Sequence, residues 1–124
     1  MSSLSGIIQS GDWKNEKHVP SIQSPNEVKK DQAFEITVNI GKEISHPNTL
    51  EHHIKWIKIF FKPENNKFPI EIANINFNSH GESQLFTDYY ASIQAKIQDS
   101  GVIYALSYCN IHGLWENSLE ITCL

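Results

Sequence analysis

Apolar residues in this chain recur at every second position over several stretches, and no stretch repeats with the period of a helix. Residues 34–40 set Phe34, Ile36, Val38 and Ile40 on one face, with Glu35, Thr37 and Asn39 on the other. Residues 91–97 repeat the pattern, and residues 102–108 and 119–123 follow it with less contrast. Residues 54–61 are apolar on both faces apart from Lys55 and Lys58, which suits a central strand, and residues 70–77 form a further candidate. Turn-forming residues separate these runs at 62–66, 78–81, 99–101 and 112–113. Such a pattern predicts an all-β fold, an immunoglobulin-like β-sandwich or small barrel of about seven short strands. The polar segment 11–30, with Pro20 and Pro25, reads as an ordered loop or extended arm.

A chain of 124 residues, 40% of them hydrophobic, can build one core and not two, so residues 1–124 are expected to form a single domain, with 1–30 largely an N-terminal arm. The net charge of −4 argues against a general nucleic-acid binder. All ten basic residues are lysines, which removes the guanidinium fork that grips phosphates and carboxylates. Apolar runs are too short for a membrane helix, and the first ten residues lack the charged and apolar regions of a signal peptide. Two cysteines, Cys109 and Cys123, make no disulfide framework, so a reducing, cytoplasmic setting is expected.

Most of the six histidines fall near other groups able to hold a metal. Cys109 and His112 stand three apart where a strand should end and a glycine-containing turn begin. A turn can aim both at one point, whereas strand positions three apart face opposite sides. Thiolate and imidazole together suit a soft or borderline transition metal, although a buried Cys beside a hydrogen-bonded turn His explains this pair equally well. His46 and His52 flank a bend at Pro47 and Asn48 and could face one centre. His52 and His53 are neighbours, so only one should join the other ligands. Glu16, Lys17 and His18 make a third group, which alone could be a solvated loop. Four histidines and a cysteine exceed what structural zinc requires, and leave a nitrogen-and-sulfur site suited to a redox metal with one vacant position.

Three stretches taken together resemble the superoxide reductases of the one-iron, neelaredoxin type, related to the C-terminal domain of desulfoferrodoxin. They are Glu16-Lys17-His18-Val19-Pro20, then residues 46–57 beginning His46-Pro47-Asn48, then Tyr108-Cys109-Asn110-Ile111-His112-Gly113-Leu114-Trp115. No cysteine precedes Cys109, so the four-cysteine iron domain of desulfoferrodoxins has no counterpart.

The resemblance implies one iron per chain, with His18, His46, His52 and His112 as a basal plane and Cys109 on the axis. It implies that Glu16 closes the sixth position in the ferric state only and that Lys17 stands near the open site. The activity it implies is reduction of superoxide to hydrogen peroxide without dioxygen release. It further implies an external electron donor such as rubredoxin and a homo-oligomer, often a tetramer. His53 and His80 take no ligand role in this reading, Trp56 and Trp115 are expected to be core aromatics, and Cys123 a buried thiol. A cupredoxin-like electron carrier, with two His, one Cys and an axial ligand, is the alternative. A metal-free binding module would account for the strands but not for the histidines.

Overall fold

The structure, a computed structural model, describes residues 3–124. Eight strands run in chain order: β1 (Ser21–Gln23), β2 (Glu27–Val28), β3 (Phe34–Asn39), β4 (Ile54–Pro63), β5 (Ile70–Asn76), β6 (Tyr90–Ala95), β7 (Gly101–Cys109) and β8 (Gly113–Cys123). Helical structure is confined to 3-10 turns at Leu4–Gly6 and Glu82–Gln84, and no helix among the described residues is long and apolar enough to cross a membrane.

The strands form two sheets, one ordered β1-β3-β6 and the other β2-β8-β7-β4-β5. The longer strands bury apolar residues between them, except β5, which lends only the half-buried Ala73 and Ile75. On β3 the buried set is Phe34, Ile36 and Val38. On β7 it is Ile103, Ala105, Ser107 and Cys109, so the cysteine thiol lies on the core face of its strand. On β4 the pairing register shifts between Ile54 and Trp56. Such a bulge moves the alternation by one residue and lets Ile54 and Ile57, three apart, both face inward.

The expected β architecture is present, with two differences of detail. The segment 11–30 contains the short strands β1 and β2, the second pairing parallel to the end of β8. β8 begins at Gly113 rather than near 119, because its inward positions include the polar Asn117 and the half-buried Leu119, which blur the alternation. Preceding β1, Gln9 exchanges backbone hydrogen bonds with Leu114 and Glu116, pinning the arm along β8 and bringing residues 16–18 to one end of the sandwich.

Candidate metal centre

Three connections meet at that end: the arm before β1, the loop between β3 and β4, and the tight turn between β7 and β8. Cys109 is the last residue of β7 and is fully buried. It pairs with Ile54, the first residue of β4, so the register that builds the core also carries His52 and His53 up to the thiol. Asn110 fastens this junction: its Oδ1 accepts the His53 N–H at 2.8 Å, and its Nδ2 donates to the Glu51 carbonyl at 2.9 Å. Gly113 ends the turn at a φ of +81°, a left-handed conformation open to glycine. In the β3–β4 loop, Gly41 has a φ of +80°, and a Cβ there would lie 2.7 Å from the His46 backbone nitrogen.

Ligand-capable atoms of His18, His46, His52 and Cys109 all lie within 4.8 Å of one another. His112 stands beside them, with Nδ1 3.1 Å from His18 Nε2 and 3.9 Å from Cys109 Sγ. The four imidazole rings are arranged around a square. Neighbouring ring centroids are 4.8 Å apart for His18–His46, His46–His52 and His18–His112, and 5.1 Å for His52–His112. The His18–His52 diagonal is 6.4 Å.

Hydrogen bonds on the outer nitrogens set the tautomers. His46 donates Nδ1–H to the Pro47 carbonyl at 2.7 Å, which leaves Nε2 as a bare lone pair. His18 places Nδ1 2.6 Å from Glu16 Oε1, so its Nε2 is likewise free to face inward. Buried Nε2 atoms on both His46 and His52 have no hydrogen-bond partner. An unpaired buried nitrogen costs about 1–3 kcal/mol, and two aimed into one cluster with a thiol beside them fit a metal ion. Burial pushes the His46 imidazole down to about 4. Burial also lowers His18, against the opposing pull of Glu16, and lowers His52, with His112 and His18 adding to the effect. All three therefore favour the neutral form that a metal needs.

Glu16 is not one of the converging groups. Its Oε1 accepts from both the backbone N–H and the ring of His18. Burial would raise its carboxyl, but those hydrogen bonds outweigh it and hold the group below the usual value. Lys17 is half-buried, and its charge bears on Glu16, His18, His46 and His52 alike. The His112 backbone N–H points at Cys109 Sγ from 3.4 Å.

Other expectations change. Trp115 is buried but does more than fill the core: its ring stacks on His18 at 4.7 Å and 13°, and its Nε1–H donates to the His112 carbonyl. Trp56 is only half-buried, because it lies on the outer face of β4. Cys123 is half-buried rather than buried, since β8 is covered at its end only by the two-residue strand β2. Tyr89, which the sequence reading passes over, donates its hydroxyl to the Pro47 carbonyl at 2.8 Å and packs edge-on against His46. Its only sequence signal is an aromatic just ahead of a strand. His80 is buried and stacks on His53.

A two-sheet β-sandwich that gathers imidazoles and one cysteine sulfur at a single end defines a mononuclear metalloprotein with more nitrogen donors than a cupredoxin employs. The desulfoferrodoxin family profile matches residues 10–118. The chain is 48% identical over 122 residues to the neelaredoxin of Megalodesulfovibrio gigas, covering 93% of this chain and 94% of that one. It is 48% identical over 118 residues to the superoxide reductase of Pyrococcus abyssi, covering 95% and 98%. Among solved structures, the superoxide reductase (neelaredoxin) of Archaeoglobus fulgidus in the reduced form superposes with a TM-score of 0.86 at 42% identity, covering 94% of this chain and 98% of the other. This chain belongs to the desulfoferrodoxin family.

Proposed function

We propose that the protein is a superoxide reductase that carries one iron per chain and converts superoxide, one electron and two protons into hydrogen peroxide. The observation that carries this reading is the convergence of His18, His46, His52 and Cys109 within 4.8 Å, with two of the imidazole nitrogens buried and unpaired. His112 completes the set of residues that would hold the iron. Iron held there would supply one-electron chemistry between superoxide and an external donor.

The chain's own residues prepare that chemistry. Pro47 and Glu16 fix the tautomers of His46 and His18, so each offers a lone pair without first losing a proton. The buried Cys109 thiolate receives the His112 N–H, which spreads its charge and tunes how strongly it donates electron density. Lys17 draws a small anion toward the cluster in a protein whose net charge is −4. Glu16, held on the outer nitrogen of His18, would join the residues that hold the iron in the ferric state only. We assign the electron donor to rubredoxin or a similar small redox protein. The location is cytoplasmic, in keeping with two unpaired thiols. The assembly is a homo-oligomer, a tetramer, and Phe68, Ile70 and Ile72, exposed on or beside the edge strand β5, supply apolar surface for it. The residues 1–124 act as one domain.

The test is stoichiometric. With a reductant present, purified iron-loaded protein should form one hydrogen peroxide per superoxide consumed, with no dioxygen released. Dioxygen evolution without reductant consumption would instead identify a dismutase.

A further inference from the structure

His80 lies outside the metal cluster, is buried, and touches only groups that accept protons at its two ring nitrogens. Its Nε2 is 2.7 Å from the Phe77 carbonyl oxygen and its Nδ1 is 2.8 Å from Asn48 Oδ1. The orientation of the Asn48 amide is fixed in turn, because its Nδ2 donates to the Thr87 carbonyl at 2.9 Å. The chain of contacts therefore runs from one carbonyl oxygen to another through an imidazole and an amide.

Counting protons along that chain gives one solution. A neutral imidazole has one N–H and one lone pair. If its N–H serves Phe77, its lone pair faces the Asn48 oxygen. Flipping the amide would satisfy that nitrogen but press oxygen against the Thr87 carbonyl. Turning the ring over would exchange both nitrogens for carbons. All three contacts are made together only when both ring nitrogens carry protons.

We propose that His80 is a buried imidazolium that positions the segment carrying His46 and His52, acting through Asn48. The charged groups around it are mixed. Burial lowers its pKa, the Phe77 carbonyl raises it, His53 lowers it, Glu82 raises it and Lys55 lowers it. Together these lower it from its ordinary value, so the case for the cation is geometric: the Asn48 Oδ1 contact at 2.8 Å, like that of the Phe77 carbonyl, needs a protonated ring nitrogen. Glu82 accepts the His80 backbone N–H at 2.8 Å, which holds its carboxyl low and keeps an anion beside the ring. His53 lies flat on the ring at 3.7 Å and 7°, a π face for the cation. Tyr89, 6.4 Å away just before β6, has its phenol pushed up to about 12 by burial and stays neutral.

Asn48 is two residues from His46 and four from His52. His80 and Thr87 grip its two amide ends, while Tyr89 holds the adjacent Pro47 carbonyl. The aim of both unpaired Nε2 atoms thus depends on a segment anchored from outside the cluster. The positioning role rests on reading His46 and His52 as ligands; the proton count does not.

Two measurements test the proposal separately. In the full-length zinc-loaded protein with 15N-labelled histidine, both ring nitrogens of His80 should read as N–H at pH 7, above the ordinary titration point of about 6.5. One bare nitrogen there would overturn the imidazolium. In the iron-loaded protein, His80→Gln keeps one of the two donors and Asn48→Ala cuts the same link. Each should weaken metal retention on the order of tenfold and shift the thiolate-to-iron charge-transfer band in the same direction. The double variant should shift it no further. A folded His80→Gln or Asn48→Ala with the parent band and parent metal affinity would overturn the positioning role, and Asn48→Ala carries that test if His80→Gln does not fold. A parent protein with no charge-transfer band would instead defeat the reductase reading and leave the nitrogen spectrum standing.

Discussion

Cys109 and Cys123 share a residue type and little else. The first is fully buried at the end of β7 with its sulfur among imidazoles; the second is half-buried, with its sulfur 3.8 Å from the Ile97 carbonyl. Cys109→Ser should therefore remove the charge-transfer colour of the oxidised protein and abolish turnover, whereas Cys123→Ser should leave both intact. Visible spectra and turnover of the two variants decide this, and like behaviour would refute Cys109 as a ligand. The role proposed for Lys17 comes before chemistry and works by charge. Lys17→Ala should slow the reaction with superoxide by about tenfold at low ionic strength, and the deficit should shrink as salt screens the parent's advantage. Pulse radiolysis across ionic strength measures this directly. Glu16→Ala should leave that rate fast and change the spectrum of the oxidised state.

Elements were legible where burial is one-sided. β3, β6 and β7 could be read from alternation because each has a buried face and an exposed or half-exposed one. β1 and β2 could not, being two or three residues long and set among prolines. The cluster was legible for a different reason: His18, His46, His52, Cys109 and His112 fall in three short stretches with a family likeness. What holds them was not. Tyr89, Asn48, Asn110 and His80 act through one or two side-chain hydrogen bonds each, most of them between residues far apart in the chain, which leave no periodic trace in a sequence. Gly41 shows how an element end controls the site. Gly41→Ala would force a left-handed alanine, costing roughly 1–2 kcal/mol, and drive its Cβ against the His46 backbone. The expected result is a melting temperature lower on the order of 5–10 °C and weaker iron retention. Calorimetry and a chelator competition would show it, and an unchanged variant would mean that the loop can relax away.

For the whole molecule, the metal end has consequences for stability against pH. His46, His18 and His52 have folded-state pKa values below the usual 6.5, His46 at about 4. The unfolded chain therefore binds more protons than the folded one as pH falls below about 6.5. Stability of the metal-free protein should decline from there toward pH 4 and should be flat in this respect above pH 7. Iron binds only the folded, deprotonated site, so loading should raise the melting temperature at neutral pH, and the increment should vanish on acidification. Melting curves of both forms from pH 4 to 8 test the sign; stability rising on acidification would contradict it.

Cys109 shares the inner face of β7 with Ile103, Ala105 and Ser107. A strand that slips by one residue turns every side chain to its opposite face. In a mispaired chain the thiol would point to solvent, away from the histidines, while the backbone ladder could still look complete. Iron uptake thus inspects strand pairing after folding. The colour of an oxidised preparation counts the molecules whose central sheet is correctly aligned, something that secondary-structure content alone would never reveal.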